Sequence, residues 1–236
     1  MKKNSLYQYG TLALLVPGLF KGTASLNDIL NHGDTGIGTG EGLDGELIII
    51  NGTTYQVNGD GDVNKLNDNF KLPFADVHYA DFNNLFTVNN ETSASQLYEQ
   101  ILKSNKTNNI FIAVKIHGIF SFMKTRAVKK QEEPYTTLEN SAKDQSIFTK
   151  NNVEGTIIGY YAPELFNGPA VGGFHTHFLA DDLSMGGHIL DFKMESGYVN
   201  GQKLYKLEQD LPKDEEYLNH DFSNDDIEDA IGKAEK

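Results

Sequence analysis

Apolar and polar positions along this chain alternate in a way that marks out strands more often than helices. Residues 46–50 (ELIII) and 53–57 (TTYQV) flank Asn51-Gly52, a dipeptide that accepts the positive φ angles of a tight hairpin, so the two runs read as an antiparallel pair. An apolar stretch around Pro73-Phe74-Ala75 places another strand within residues 67–81. Residues 110–115 are a buried-strand run, and Ile119, Phe120, Phe122 and Met123 keep the chain extended up to Arg126. Residues 153–161 (VEGTIIGYY) form a further strand, stopped by Ala162-Pro163. Residues 193–198 and 202–208 alternate like two strands around Asn200-Gly201. Helical spacing is confined to residues 11–20, 25–32, 93–103 and 223–236. Ser25 with Asp28, and Ser223 with Asp226, are the expected N-caps, and Gly33 is the expected stop of the second helix. Residues 136–145 read as a polar loop. The fold class is therefore α+β and mainly antiparallel β. An N-terminal mixed or antiparallel sheet with flanking helices (residues 1–150) precedes a C-terminal small β-barrel-like domain (residues 151–236), and the two can pack as one unit.

One stretch carries chemistry. Residues 172–192, GGFHTHFLADDLSMGGHILDF, hold three of the seven histidines. His175 and His177 are two apart in a strand-favouring run, so both imidazoles leave the same face. Asp181-Asp182 and Gly186-Gly187 are turn chemistry, which lets His188 enter an adjacent strand. Three neutral imidazoles converging from two strands leave a fourth metal position open, the catalytic pattern for zinc. Spacing alone also admits iron, manganese, copper or nickel. His32, His78, His117 and His220 take structural readings.

Composition narrows the picture. With no cysteine, disulfides, thiolate ligands and a cysteine nucleophile are excluded, so a metal must be held by His and carboxylates. The net charge of −13 argues against nucleic acid as a partner. Residues 206–236 hold eleven acids against four bases, so more than half of that charge sits in the C-terminal segment. Met1-Lys2-Lys3 before LALLVPGLF resembles a signal peptide, but the apolar run is short and Pro17 interrupts it; nothing reaches the length of a membrane span. The segment reads as an amphipathic element of a cytoplasmic protein.

Two motif matches fail on context. Gly40, Gly42 and Gly45 fit a dinucleotide fingerprint, yet they precede a strand instead of opening a helix. Asn58, Asp60, Asp62 and Asn64 resemble a calcium loop, but Val63 and Asn69 stand where glycine and glutamate are required, so a polar hairpin end is expected.

Three further stretches line up with one family. GTGEGLDGELIIINGTTYQV (residues 38–57), KIHGIFSFMKTRAVKKQEEPY (residues 115–135) and the histidine stretch, together with the opening YQYGTLALLVPGLFKGTASLNDILNHGD, resemble the acetolactate decarboxylases, zinc carboxy-lyases that convert 2-acetolactate to acetoin. The resemblance covers nearly the whole chain. It implies that His175, His177 and His188 bind Zn2+, that Glu46 and Arg126 face the metal as catalytic residues, and that Thr39 and Leu43 contact substrate. It implies one more carboxylate near the C-terminus, assigned to Glu235 with Glu228 as the alternative, and a homodimer in acetoin and butanediol metabolism. The chain departs from the family at Gly40, where an aromatic is usual after Gly-Thr, which predicts a looser loop.

The chemistry asked of such a site is definite. Loss of CO2 from a β-keto acid leaves an enediolate, and zinc with neutral ligands keeps its charge to polarise the ketone oxygen. A guanidinium at Arg126 would fork onto the departing carboxylate, and Glu46 would deliver the proton that sets the product's handedness. Two other classes stay open: a different three-histidine metal enzyme (an isomerase or dioxygenase), and a structural zinc module closed by a fourth ligand such as Asp191.

Overall fold

The computed structural model describes residues 4–235, without the side chains of residues 228, 234 and 235. The first part of the chain gives β1 (Ser5–Tyr9), α1 (Leu12–Leu15), β2 (Ala24–Ser25), α2 (Leu26–Leu30), β3 (Thr35–Thr39), β4 (Glu46–Ile50), β5 (Thr53–Val57) and β6 (Val63–Lys65). The middle gives β7 (Lys71–Leu72), β8 (Phe74–His78), β9 (Asn83–Val88), β10 (Thr92–Ser93), α3 (Ala94–Asn105), β11 (Phe111–Ala127) and α4 (Leu138–Ala142). The remainder gives β12 (Ser146–Ala162), β13 (Gly173–Ala180), β14 (Gly186–Leu204), β15 (Lys206–Asp210), α5 (Glu215–Asn219) and α6 (Ile227–Glu235).

Two sheets follow. The first has the order β15-β1-β8-β3-β4-β5-β6 and is antiparallel apart from the β1–β15 pair. The second is a closed system: β11 pairs with both β12 and β14, and β13 pairs with both β12 and β14, so four strands return on themselves as a small barrel. Alternation then divides the side chains. Phe120, Phe178 and Phe192 point into the barrel core and meet edge to face at centroid distances of 5.4 and 5.6 Å, with Leu97 and Ile101 of α3 closing that core. Ile158, Tyr160 and Leu179 point outward and pack on Leu6, Ile37, Ile48 and Val57 of the first sheet. Each such side chain, fully buried, contributes roughly 1.5–3 kcal/mol.

Most predicted elements are present, with instructive differences. Asn51 and Gly52 adopt φ of 52° and 75° and turn the β4–β5 hairpin, as their sequence demands. Asn200-Gly201 does not turn: both edges of β14 are occupied there, by β11 and β9, and residues 186–204 run as one bulged strand. The boundary expected at 150/151 falls inside β12, and β11 lies in the same barrel as the histidine strands. Residues 11–20 shrink to α1, capped by Thr11, while residues 5–9 before them form a buried strand. Ser25 and Asp28 form the expected capping box, but that helix ends at Leu30, before Gly33. Ser223 lies in a short turn capped by Asp221, and α6 begins later, at Ile227. Among the described residues no helix is long and apolar enough to cross a membrane.

The space between sheet and barrel also holds polar groups. Asp76 and His78 project from β8 into it; His78 Nδ1 lies 2.8 Å from the Tyr160 hydroxyl, and Gln8 hydrogen-bonds Asp76. Burial pushes Asp76 up to about 7 and His78 down to about 4. The linkage signs are opposite. Folded Asp76 holds a proton that the unfolded chain has released above its ordinary 3.8, so its contribution to stability falls as pH rises to about 7. Folded His78 lacks a proton that the unfolded chain holds below 6.5, so its contribution rises as pH climbs from about 4. Tyr160 and Asp34 are the other titratable groups facing this pair. Replacing Asp76 by Asn removes only the first contribution. The stability of Asp76→Asn relative to wild type should therefore increase between pH 4.5 and 7.5 in urea melts, and a pH-independent difference would contradict this electrostatic picture.

Candidate active site

The outward face of the barrel meets the first sheet near its β3–β4 end, and the sequence-predicted residues converge there. His177 and His188 are direct partners across β13 and β14, and His175 lies two residues along on the same face. The three ring centroids stand 5.0–5.5 Å apart. One nitrogen from each lies within 4.8 Å of the other two, a spacing that one ion can bridge. Arg126 is the β11 partner of His188, which puts its guanidinium beside the cluster.

Glycines make this geometry possible. Gly186 and Gly187, expected as turn residues, are instead the first two residues of β14; the turn itself is residues 181–185, where Leu183 takes φ of 58°. Gly187 has φ of 121°, and a Cβ there would lie 2.5 Å from the Arg126 carbonyl oxygen. A side chain would force β14 from β11 where the barrel closes. The Thr125 hydroxyl, itself fully buried, donates to the Gly186 carbonyl at 2.7 Å and clamps the same junction.

The opposing sheet supplies the acid. Gly45, at φ of 74°, turns the chain so that β4 begins with Glu46 directly opposite Thr39. Glu46 Oε1 accepts from Arg126 Nη1 at 3.1 Å, and its Oε2 lies 3.3 Å from His177 Nε2. The next residue fixes that imidazole: His177 Nδ1 is 2.9 Å from the Leu47 carbonyl oxygen. A carbonyl can only accept, so Nδ1 carries the hydrogen and Nε2 is the nitrogen turned toward Glu46 and the other histidines. Burial and the neighbouring guanidinium push His175 down to about 3, so it is a neutral donor. A set of imidazole nitrogens with a carboxylate beside it fits a divalent transition metal.

Beside this group lies a small cavity lined by Glu46, Arg126, His175, His177, Gly38, Thr39 and Leu43. His188 is behind it, 4% exposed. Thr39 donates to the Gly45 carbonyl at 3.0 Å. Leu43 is held at φ of 57°, a left-handed conformation that costs a leucine roughly 1 kcal/mol or more. The loop carrying it is clamped and not loose as expected: Gly42 N–H donates to Phe20 O, Gln131 N–H donates to Gly42 O, and Gly40 sits under Phe70, whose ring is 2.6 Å from where a Cβ would stand.

Sequence reasoning did not single out the remaining lining residues, Leu12, Leu15, Phe74, Val128 and Leu138, because each reads as ordinary core. Glu235 and the alternative Glu228 lie outside the described side chains. Asp191 is exposed and is not part of the histidine cluster. The other histidines are placed elsewhere: His32 stacks on Tyr7 at 3.7 Å, His117 pairs with Asp181, and His220 pairs with Asp225.

Fold and site define a barrel-and-sheet protein in which a buried cluster of histidines faces a carboxylate–guanidinium pair beside a cavity. Comparison with known proteins makes this specific. Residues 6–224 match the alpha-acetolactate decarboxylase family. The chain is 37% identical over 235 residues to the alpha-acetolactate decarboxylase of Lactococcus lactis subsp. cremoris, covering 98% of each, and 35% identical over 231 residues to that of Methanosarcina mazei, covering 98% of this chain and 80% of the other. The crystal structure of acetolactate decarboxylase from Bacillus subtilis subspecies spizizenii superimposes with a TM-score of 0.94 at 31% identity, covering 98% of this chain and 100% of the other. The chain belongs to the alpha-acetolactate decarboxylase family and is a carboxy-lyase.

Because Gly187 is where three strands converge on the site, Gly187→Ala should lower decarboxylase activity at least about ten-fold while the melting temperature falls by only several degrees. Wild-type kcat in a stably folded Gly187→Ala protein would show that the close approach does not position His188.

Proposed function

We propose that the enzyme decarboxylates 2-acetolactate to acetoin with Zn2+ held by His175, His177 and His188. The observation that carries this reading is the juxtaposition of one donor nitrogen from each histidine, all within 4.8 Å, with Glu46 on the cavity wall. Bound there, zinc supplies positive charge that lowers the cost of the negative charge developing on the substrate's ketone oxygen.

The chain's own residues account for the rest. Arg126 binds the substrate carboxylate, because a guanidinium stays charged at any working pH and fits two oxygens at once. Burial of the polar wall excludes bulk water that would otherwise hydrate this carboxylate. The bond from the carboxyl carbon to the hydroxyl-bearing carbon breaks, CO2 leaves, and the electron pair passes into an enediolate across the former ketone. Glu46, ionised beside Arg126 before substrate binds, takes up a proton from water once the guanidinium holds the substrate carboxylate, and then donates it to the hydroxyl-bearing carbon. Glu46 stands on one side of the cavity only, so protonation from that face sets the product's handedness. Thr39 and Leu43 position the substrate. Glu235 shares proton handling, a role supported by the packing of α6 on α1 and α4, the helices that also line the cavity. The same reading includes a cytoplasmic homodimer acting on a small molecule, with neither nucleic acid nor membrane as partner. It rests on the family resemblance and the net charge of −13, and a monomeric mass under native conditions would remove the dimer. A dioxygenase is disfavoured by the acid poised at Glu46, which a redox reaction at three histidines does not require.

The test is direct. Purified protein given racemic 2-acetolactate should release acetoin, and chelation should stop it without unfolding the protein, separating a catalytic ion from a structural staple. Glu46→Gln should lower kcat by about 10²–10⁴. Arg126→Lys should raise KM as well, since an ammonium cannot fork. Truncation after Lys233 should lower kcat; unchanged turnover would remove Glu235 from the mechanism. Protein that carries one zinc per chain yet releases no acetoin would overturn the reading as a whole.

A further inference from the structure

The cavity has two chemically different walls. Glu46, Arg126, His175, His177 and Thr39 make the polar one. Leu12, Leu15, Leu43, Phe74, Val128 and Leu138 make the other, and all six are buried. Acetolactate has three oxygen-bearing groups, namely carboxylate, hydroxyl and ketone, and two methyl groups. Turning the oxygens to the polar wall leaves the methyls facing the leucines, because stripping water from a charged group against an apolar surface is costly. An alkyl group longer than methyl has to grow into that apolar wall.

We infer that Leu138 sets the upper size limit of the alkyl group on the substrate's hydroxyl-bearing carbon. The inference rests on the decarboxylase reading of this cavity. Among the other wall residues, Phe74, Leu12 and Leu15 are braced by the main framework. Phe74 sits in β8, between β1 and β3, and α1 is pinned by Leu12 and Ala13 N–H groups donating to Pro169 and Gly168 carbonyls at 3.0 Å. Leu138 belongs to no strand. It opens α4, a five-residue helix in the connection between β11 and β12, and its N–H donates to Val16 O at 3.1 Å. Behind it, in the same apolar cluster, is Ile231 of α6, 2% exposed. Two helices outside both sheets thus close this end of the cavity, and shortening Leu138 enlarges it without moving a histidine, Glu46 or Arg126.

The experiment measures kcat/KM of the purified, metal-replete enzyme for 2-acetolactate and for its homologue with propyl in place of the 2-methyl group. In Leu138→Ala the propyl-to-methyl ratio should rise about ten-fold or more, the effect of one or two methylenes' worth of space in an apolar pocket. Leu138→Val should raise it less, and carries the test if the alanine variant melts below the assay temperature. Leu14→Ala loosens the same apolar cluster, where Leu14 is 1% exposed, but does not line the cavity. Its ratio should stay within about two-fold of wild type. An unchanged ratio in both Leu138 variants, or an equal rise in Leu14→Ala, overturns the inference. Wild-type enzyme inactive on 2-acetolactate would instead overturn the decarboxylase reading, so the two failures are distinguishable.

Discussion

The hydrogen bond from His177 Nδ1 to the Leu47 carbonyl, 2.9 Å long and buried, is the constraint on which the rest of the site depends. It joins the outer face of the barrel to the edge-on backbone of β4, and it does three things at once. It fixes the tautomer of a candidate metal ligand. It sets the distance between barrel and sheet where an apolar contact would allow sliding. It also ties the ligand to the residue following Glu46, so acid and histidine move as one body. A buried hydrogen bond of this kind contributes only about 1 kcal/mol net, but leaving either partner unsatisfied costs roughly 1–3 kcal/mol, which makes the register hard to change. The Tyr160 hydroxyl does similar work farther along the interface, within 3.2 Å of Thr35 O and 2.8 Å of His78 Nδ1.

Barrel closure is the second constraint. A four-stranded barrel is tight, and it closes here only because backbone can approach backbone. At Gly155 a Cβ would lie 2.5 Å from Leu179 O, and at Gly159 it would lie 2.2 Å from His175 O. The histidines therefore sit on a strand pressed against a glycine-bearing neighbour, with little freedom to swing. Geometry held by strands in this manner is more exact than geometry held by loops, as a site with convergent ligands requires.

The parts of this arrangement legible in the sequence are those set by local rules. The i, i+2 histidines share a face because strands alternate, and the Asn51-Gly52 hairpin turns because both residues accept the positive φ it requires. Where pairing does compete, local rules lose: Asn200-Gly201 is drawn straight by strands on both edges, and Gly186-Gly187 serves barrel closure instead of a turn. Strand β3 went unrecognised because its glycines, Gly36 and Gly38, are needed for close approach to β8 and so dilute the apolar alternation. The resemblance of GTGEGLDGE and KTRAV to family motifs pointed to Glu46 and Arg126, whose meeting across the sheet–barrel junction no spacing rule predicts. The apolar cavity wall was illegible for a different reason: a leucine that faces a substrate and a leucine that faces another leucine have the same sequence signature.

The contact between Glu46 and Arg126 is the least economical feature of the fold, and for that reason the most informative. Their side chains are 9% and 4% exposed, so each charge has lost most of its hydration, a penalty of several kcal/mol per ion that the contacts around the pair have to offset. Two apolar residues of similar volume would pack there at no such cost, continuing the leucine wall next to them. A buried ion pair is weak evidence of stabilisation, whereas the proposed reaction, which sheds a carboxylate and then takes up a proton, would use a cation and an acid within reach of one carbon. In the proposed reaction the energy spent on burial would be recovered when substrate arrives, because charges already stripped of water need no rearrangement as the carboxylate departs.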